Sequence, residues 1–192
     1  MKKGITIIVL CFTCFVSAQR YKILSGSLDN LKGISEYKVT FDYADLKVDG
    51  FATEEDFLKE KMEKRQDRDN KALLFKKNWY DDRANIYEPK FIEYFNNRFP
   101  KGELKISKES SSKYTMTIKT TWIYPGYVVE PAKLSATITL SETGNSNPLL
   151  VIAFEKVIGI EDNAYNVNQG YRIAGAYEKL AKVFTIQLKR IL

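Results

Sequence analysis

The sequence predicts a two-layer α+β domain: a mainly antiparallel sheet of four to five strands, helices packed on one face, and a long C-terminal helix. Three observations carry this. Strict alternation of apolar and polar residues runs through 36–43, and the same period is read in 114–124 and 133–140, the pattern of a sheet with one buried face. Ile173, Tyr177, Leu180, Phe184, Leu188 and Ile191 recur every three or four residues, the stripe of an amphipathic helix. Helical patterns also separate the first strand from the later strand series, which places helices over one side of the sheet.

The chain opens with MKKGITIIVLCFTCFVSAQ, which reads as a secretory leader. Lys2 and Lys3 form the positive region, 5–16 the apolar region, and Val16-Ser17-Ala18 the small-residue cleavage site. Cleavage is expected between Ala18 and Gln19, leaving a single domain over 19–192. The alternative for the leader is a buried N-terminal strand. The apolar run is too short to span a bilayer, and no second segment supplies a transmembrane anchor. Leu10 before Cys11 and Thr13 before Cys14 do not match the residues that precede a lipid-attachment cysteine. Both cysteines lie in the leader, so the exported chain has no disulfide and must rely on its apolar core. This composition fits a bacterial periplasm, cell surface or medium.

Ile23 and Leu24 suggest a short first strand. In 36–43, Tyr37, Val39, Phe41 and Tyr43 alternate with Glu36, Lys38, Thr40 and Asp42. Thr53 caps a helix whose first turn carries Glu54, Glu55 and Asp56, where the helix dipole favours anions. From there to Asp69 only Phe57, Leu58 and Met62 are large and apolar, so 54–69 reads as a surface helix or flap. Asn70 either breaks it or lets Ala72, Phe75 and Trp79 continue it. Pro89 suits the start of a helix with Phe91, Ile92, Phe95 and Phe99 on one stripe, stopped by Pro100 and Gly102.

Leu104 and Ile106 suggest another short strand. In 114–124, Tyr114, Met116, Ile118, Trp122 and Tyr124 are expected on one face and Thr115, Thr117, Lys119 and Thr121 on the other. After Pro125-Gly126, Leu134, Ala136, Ile138 and Leu140 oppose Lys133, Ser135, Thr137 and Thr139. Leu150, Ile152 and Phe154 follow, and the threonine-rich side reads as solvated. The last helix begins near Gln169, with Ala174 and Ala181 allowing close packing.

The strand–helices–meander–helix order, with Gly170-Tyr171-Arg172-Ile173-Ala174-Gly175-Ala176-Tyr177-Glu178-Lys179-Leu180 opening the last helix, resembles small uncharacterised secreted or periplasmic bacterial α+β proteins. It is also loosely similar to the domains of lipoproteins that help assemble envelope machines. The resemblance covers the strand series and the last helix. It implies an envelope location and carries over no functional residue.

The chain contains no histidine. Ser-His-Asp and Cys-His mechanisms are therefore closed to the exported chain, and zinc or copper would lack their usual ligands; no cofactor is expected. Ser110-Ser111-Ser112-Lys113 matches the Ser-x-x-Lys pattern of acyl enzymes, but it leads into a strand rather than opening a helix. Asp81-Asp82 and Glu54-Glu55-Asp56 offer carboxylates for acid–base work, and solvated helix ends explain them equally. Asp42, Asp45 and Asp49-Gly50 only vaguely suggest a calcium loop, and a turn leaving a strand uses the same residues.

Thirty basic residues face 24 acidic ones, intermixed along the chain, which does not make the basic stripe of a nucleic-acid protein. The aromatic residues offer a surface instead. Trp79, Tyr80, Trp122, Tyr124 and Tyr127 could stack on a sugar or anchor a protein, although Trp79 and Trp122 also fit the core stripes. The expected function is an exported, non-catalytic interaction module binding an envelope or extracellular protein. A glycan or small-molecule binder, and then a carboxylate hydrolase, are the alternatives.

Overall fold

A computed structural model describes residues 21–66, 70–145, 147–159 and 166–192. The expected leader and its Ala18/Gln19 cleavage lie outside these residues. The chain runs β1 (Tyr21–Gly26), β2 (Glu36–Asp42), β3 (Lys47–Val48), α1 (Glu54–Glu63), α2 (Lys71–Asp82), a π-helical turn (Arg83–Tyr87), α3 (Glu88–Asn97), β4 (Lys105–Ser107), β5 (Tyr114–Tyr124), β6 (Lys133–Glu142), β7 (Leu150–Ile158) and α4 (Gln169–Leu188). A short 3-10 turn, Leu28–Leu31, separates β1 from β2.

The expected four to five strands are too few, because the sheet has seven, in the order β1-β7-β6-β5-β2-β4 with β3 pairing β5 beyond β2. β1 and β4 fall where Ile23-Leu24 and Leu104-Ile106 suggest short strands, and β3 carries no period to read. β3 is two residues long, β4 is three, and every residue of β1 is exposed. β1, β7, β6 and β5 pair antiparallel, whereas β2 pairs parallel with both β4 and β5. Parallel neighbours need a crossover, and the α1–α3 segment supplies it between β2 and β4.

The core lies between one sheet face and the helices. Met116, Ile118, Leu134, Ile138, Leu150 and Ile152 meet Ile173, Leu180 and Phe184 of α4, and Phe91 and Phe95 of α3, in one buried cluster. Phe154 and Phe95 both pack on the Phe184 ring. Among the described residues no helix lies over the other sheet face, which carries the half-buried Thr115, Thr117, Ser135, Thr137 and Thr139.

The local signals for helix starts hold. The Thr53 hydroxyl accepts the Asp56 N–H (3.1 Å), and the Asn168 side chain accepts the Gly170 N–H (2.8 Å). α1 ends at Glu63 rather than running to Asp69, and α2 begins just after Asn70, which adopts φ 55°, a left-handed conformation that asparagine tolerates. Pro89 enters near the start of α3, with the π-helical turn just before it. Proline donates no N–H and crowds the carbonyl four residues back, so the preceding turn widens.

Candidate docking surface

The structure corrects one placement on β5. Trp122 and Tyr124 do not share a face with Met116 and Ile118; a bulge moves them to the uncovered side. Thr120 pairs with Ala136 and Trp122 with Ser135, so Thr121 is an extra residue, and its hydroxyl donates to the Ser135 carbonyl (3.2 Å). β7 does the same from the other side of Ser135. Ala136 pairs with Phe154 and Leu134 with Val157, so Glu155 and Lys156 both stand against Ser135. Lys156 takes φ 47°, and its N–H donates to the Ser135 hydroxyl (3.0 Å).

Burial therefore follows Ile118, Thr120 and then Ile123 on β5, and Ile152, Phe154 and then Val157 on β7. Paired bulges of this kind re-aim side chains. Here they bring Thr121, Trp122, Ser135, Thr137, Glu155 and Lys156 around a shallow concavity of about 340 Å³. The Lys156 ammonium lies over the Trp122 ring, 5.5 Å from its centre. Tyr124 donates to Glu130 (2.7 Å), and Lys133 pairs with the same carboxylate (2.6 Å). These two partners hold the Glu130 carboxyl below its usual pKa, and the bond to Glu130 raises the Tyr124 phenol.

Beyond this surface the β5–β6 connection projects three consecutive large residues. Tyr127 is 66% exposed, Val128 is exposed, and Val129 is 78% exposed. The loop is nevertheless fixed. Tyr127 and Glu130 exchange both backbone hydrogen bonds (2.8 and 3.0 Å). Gly126 has φ 72°, and a Cβ there would stand 2.6 Å from the Ala132 nitrogen, so only glycine fits. Arg172, in the first turn of α4 and 6% exposed, donates to the carbonyls of Pro125 and Gly126 (3.2 Å each), Asn166 (2.6 Å) and Val167 (3.0 Å). Burial lowers the pKa of Arg172. The guanidinium thus ties the loop tip to the start of α4, where Val167 and Tyr171 are also exposed.

Of the five aromatic residues singled out from the sequence, Trp122, Tyr124 and Tyr127 belong to this end of β5 and its loop. Trp79 and Tyr80 do not. They stand in the helical layer, where the Trp79 indole N–H donates to Glu54 and Tyr80 is half-buried beside the Arg83 guanidinium. Sequence reasoning missed Val128, Val129, Lys156 and Arg172. The first two had a signal, an apolar pair between Pro125-Gly126 and Glu130-Pro131. A left-handed lysine and an arginine serving carbonyls had none.

The other candidate groups are committed elsewhere. Glu54 accepts from both Trp79 and Arg83, and Arg83 also lies over the Tyr43 ring (4.3 Å). Tyr43 donates to Glu88 (3.3 Å), which pairs with Lys108, and the Thr120 and Tyr177 hydroxyls share a 2.6 Å bond. Burial raises Tyr43 far above the usual phenol range and Tyr177 to about 12. Neither phenol can lose a proton near neutral pH.

The Ser110 hydroxyl accepts the Ser112 N–H (3.0 Å), and the Ser112 hydroxyl donates to the Glu36 carbonyl (2.8 Å), so these serines shape a loop. Glu142 bonds Lys113 and raises its pKa, the opposite of what a lysine base requires. Lys119 stands 3.8 Å from Asp42 and 3.5 Å from Asp45, and the described residues contain no cluster of three or more metal-ligating side chains.

No helix among the described residues is long and apolar enough to cross a membrane. Compared with protein-family models, curated proteins and solved structures, the chain matches none of them.

Proposed function

We propose that the chain is an exported, non-catalytic interaction module of the bacterial envelope, and that it docks a protein partner through the end of the β5–β6 hairpin. One observation carries this reading: Tyr127, Val128 and Val129 are exposed on a loop that Arg172 and Gly126 hold rigid. Three large side chains kept in water by a fixed backbone make a preorganised anchor, since binding loses little loop entropy. The partner would present an apolar pocket to Val129 and Tyr127, with Lys133 and Lys156 at its rim.

A second reading, glycan binding, draws support from Trp122, which lines a concavity rich in hydroxyls. Lys156 over its ring counts against stacking unless the sugar displaces the ammonium or carries an anionic group. The hydrolase alternative has less support, because Glu54, Glu88 and Asp81 are each held by a cation or an indole.

Capture from a solubilised envelope extract with tagged protein spanning 19–192 tests both, with proteins and glycans read by mass spectrometry. The docking reading expects Val129→Asp to lower retention of one stoichiometric protein by at least about tenfold, with Trp122→Ala near wild type. The reverse pattern, with a retained glycan, would transfer the function to the open sheet face. Retention unchanged in both variants would reject the two surfaces together.

A further inference from the structure

α1 and α2 form an antiparallel hairpin whose two ends differ in charge. The end against the sheet holds Glu54, Glu55 and Asp56, with Glu54 on Trp79 and Arg83. Toward the far end basic residues outnumber acidic ones: Lys61, Lys64 and Arg65 stand with Glu60 and Glu63 at the close of α1, and Lys71, Lys76 and Lys77 lie on α2, which carries no acidic residue before Asp81. Arg65 packs over the Phe75 ring at 4.3 Å, which brings the two basic stretches together. Glu60 and Asp81 engage Lys64 and Lys77.

Among these cations α2 exposes two leucines, Leu73 at 64% and Leu74 at 54%. At about 100° per residue they flank Lys77 on the side of α2 away from Phe75 and Trp79, which pack on Phe57. Among the described residues neither belongs to the hydrophobic core or packs against it. Exposed leucines beside flexible lysines are what an interfacial helix places in an anionic bilayer, the apolar tips entering the headgroup boundary and the ammonium groups meeting lipid phosphates.

We infer that the basic end of the α1–α2 hairpin rests on an anionic phospholipid surface, with Leu73 and Leu74 inserted and Lys71, Lys76 and Lys77 on the headgroups. Charge complementarity selects this occupant over an apolar protein groove, because Lys71, Lys76 and Lys77 neighbour the two leucines on a stretch of α2 with no acidic residue before Asp81. Attachment is peripheral and reversible, since two side chains enter only the interface. The contact shares no residue with the β5–β6 loop.

Co-sedimentation of protein spanning 19–192 with vesicles tests the inference. Sedimentation is expected with phosphatidylglycerol–phosphatidylcholine vesicles at low salt, and its loss with pure phosphatidylcholine or at high salt. Leu73→Ser/Leu74→Ser should lower the bound fraction by about tenfold with the circular dichroism unchanged. Lys71→Gln/Lys76→Gln should do so to a smaller degree, keeping a folded control. Wild-type protein remaining in the supernatant, binding equally well to neutral vesicles, or an unchanged bound fraction in the leucine variant would overturn it. So would a dimer that the leucine substitutions dissolve, because a second copy would then be the occupant.

Discussion

α4 and the α1–α2 hairpin are both helical layers of one domain, yet they relate to the core in opposite ways. α4 buries thirteen of its twenty residues, including Arg172, Thr185 and Gln187. α1 buries Glu54, Phe57 and Leu58, and α2 only Trp79. A helix buried on most sides is a structural member, and its polar residues must find partners inside. A helix that buries one edge is attached at few points, and its remaining faces are available for contacts outside the molecule. The attachment of the hairpin is a short aromatic row, Phe51, Phe57 and Trp79, and one buried carboxylate, Glu54.

The largest effect that would sharpen this contrast is removal of α4. A chain ending at Gly170 is expected not to fold, because Ile173, Tyr177, Leu180, Phe184 and Leu188 are all buried. At roughly 1.5–3 kcal/mol each they match the whole net stability of a domain, about 5–15 kcal/mol. A cooperative melting transition in that truncation would break the contrast.

Point substitutions come next. Phe184→Ala should lower global stability by about 3–5 kcal/mol, seen by denaturant melting. Glu54→Ala leaves Arg83 without its carboxylate and should cost about 1–3 kcal/mol. Its amide exchange should quicken in α1 and α2 while α4 stays protected. Equal acceleration in α4 would mean that the hairpin and the core open as one unit.

The smallest effect concerns Asp82, the last residue of α2. Burial and the neighbouring Asp81 raise its carboxyl above the usual value. A carboxyl whose pKa is raised by folding favours the fold below the ordinary carboxylate range and loses that advantage as pH rises. Asp82→Asn should therefore raise the melting temperature at pH 7, and the gain should fade as the pH falls toward 3. A gain independent of pH would trace the effect to packing instead of charge.

The regular parts of this architecture were legible because they repeat. The α4 stripe, the Thr53 cap, the apolar side of β6 and the position of Pro89 each follow from a spacing or a single residue with one physical role. The candidate surface was less legible, because it is made where the repeat fails. One extra residue on β5 reverses Trp122 and Tyr124, and its one sign is the break in period at Thr120-Thr121, which does not say on which side of the sheet the strand resumes. On β7 the bulge rests on a lysine in a conformation its residue type does not favour. Arg172 looked like one more helix charge, and only its four carbonyl partners distinguish it. The two-residue β3 was invisible, since alternation needs more residues than it has.

The π-helical turn at Arg83–Tyr87 has a consequence for how the aromatic side chains are indexed around the helical layer. Trp79 and Phe91 are both buried, yet twelve positions of uninterrupted α-helix would set their directions about 120° apart. The wide turn absorbs about one residue, and the angle falls to about 20°. Two helices of unequal duty are thereby kept in phase over one core. A single-residue insertion between those aromatics would turn α3 by about 100° and carry Phe91 and Phe95 out of the interior, whereas a single-residue deletion would be absorbed by returning the turn to ordinary α-helix with the phase kept.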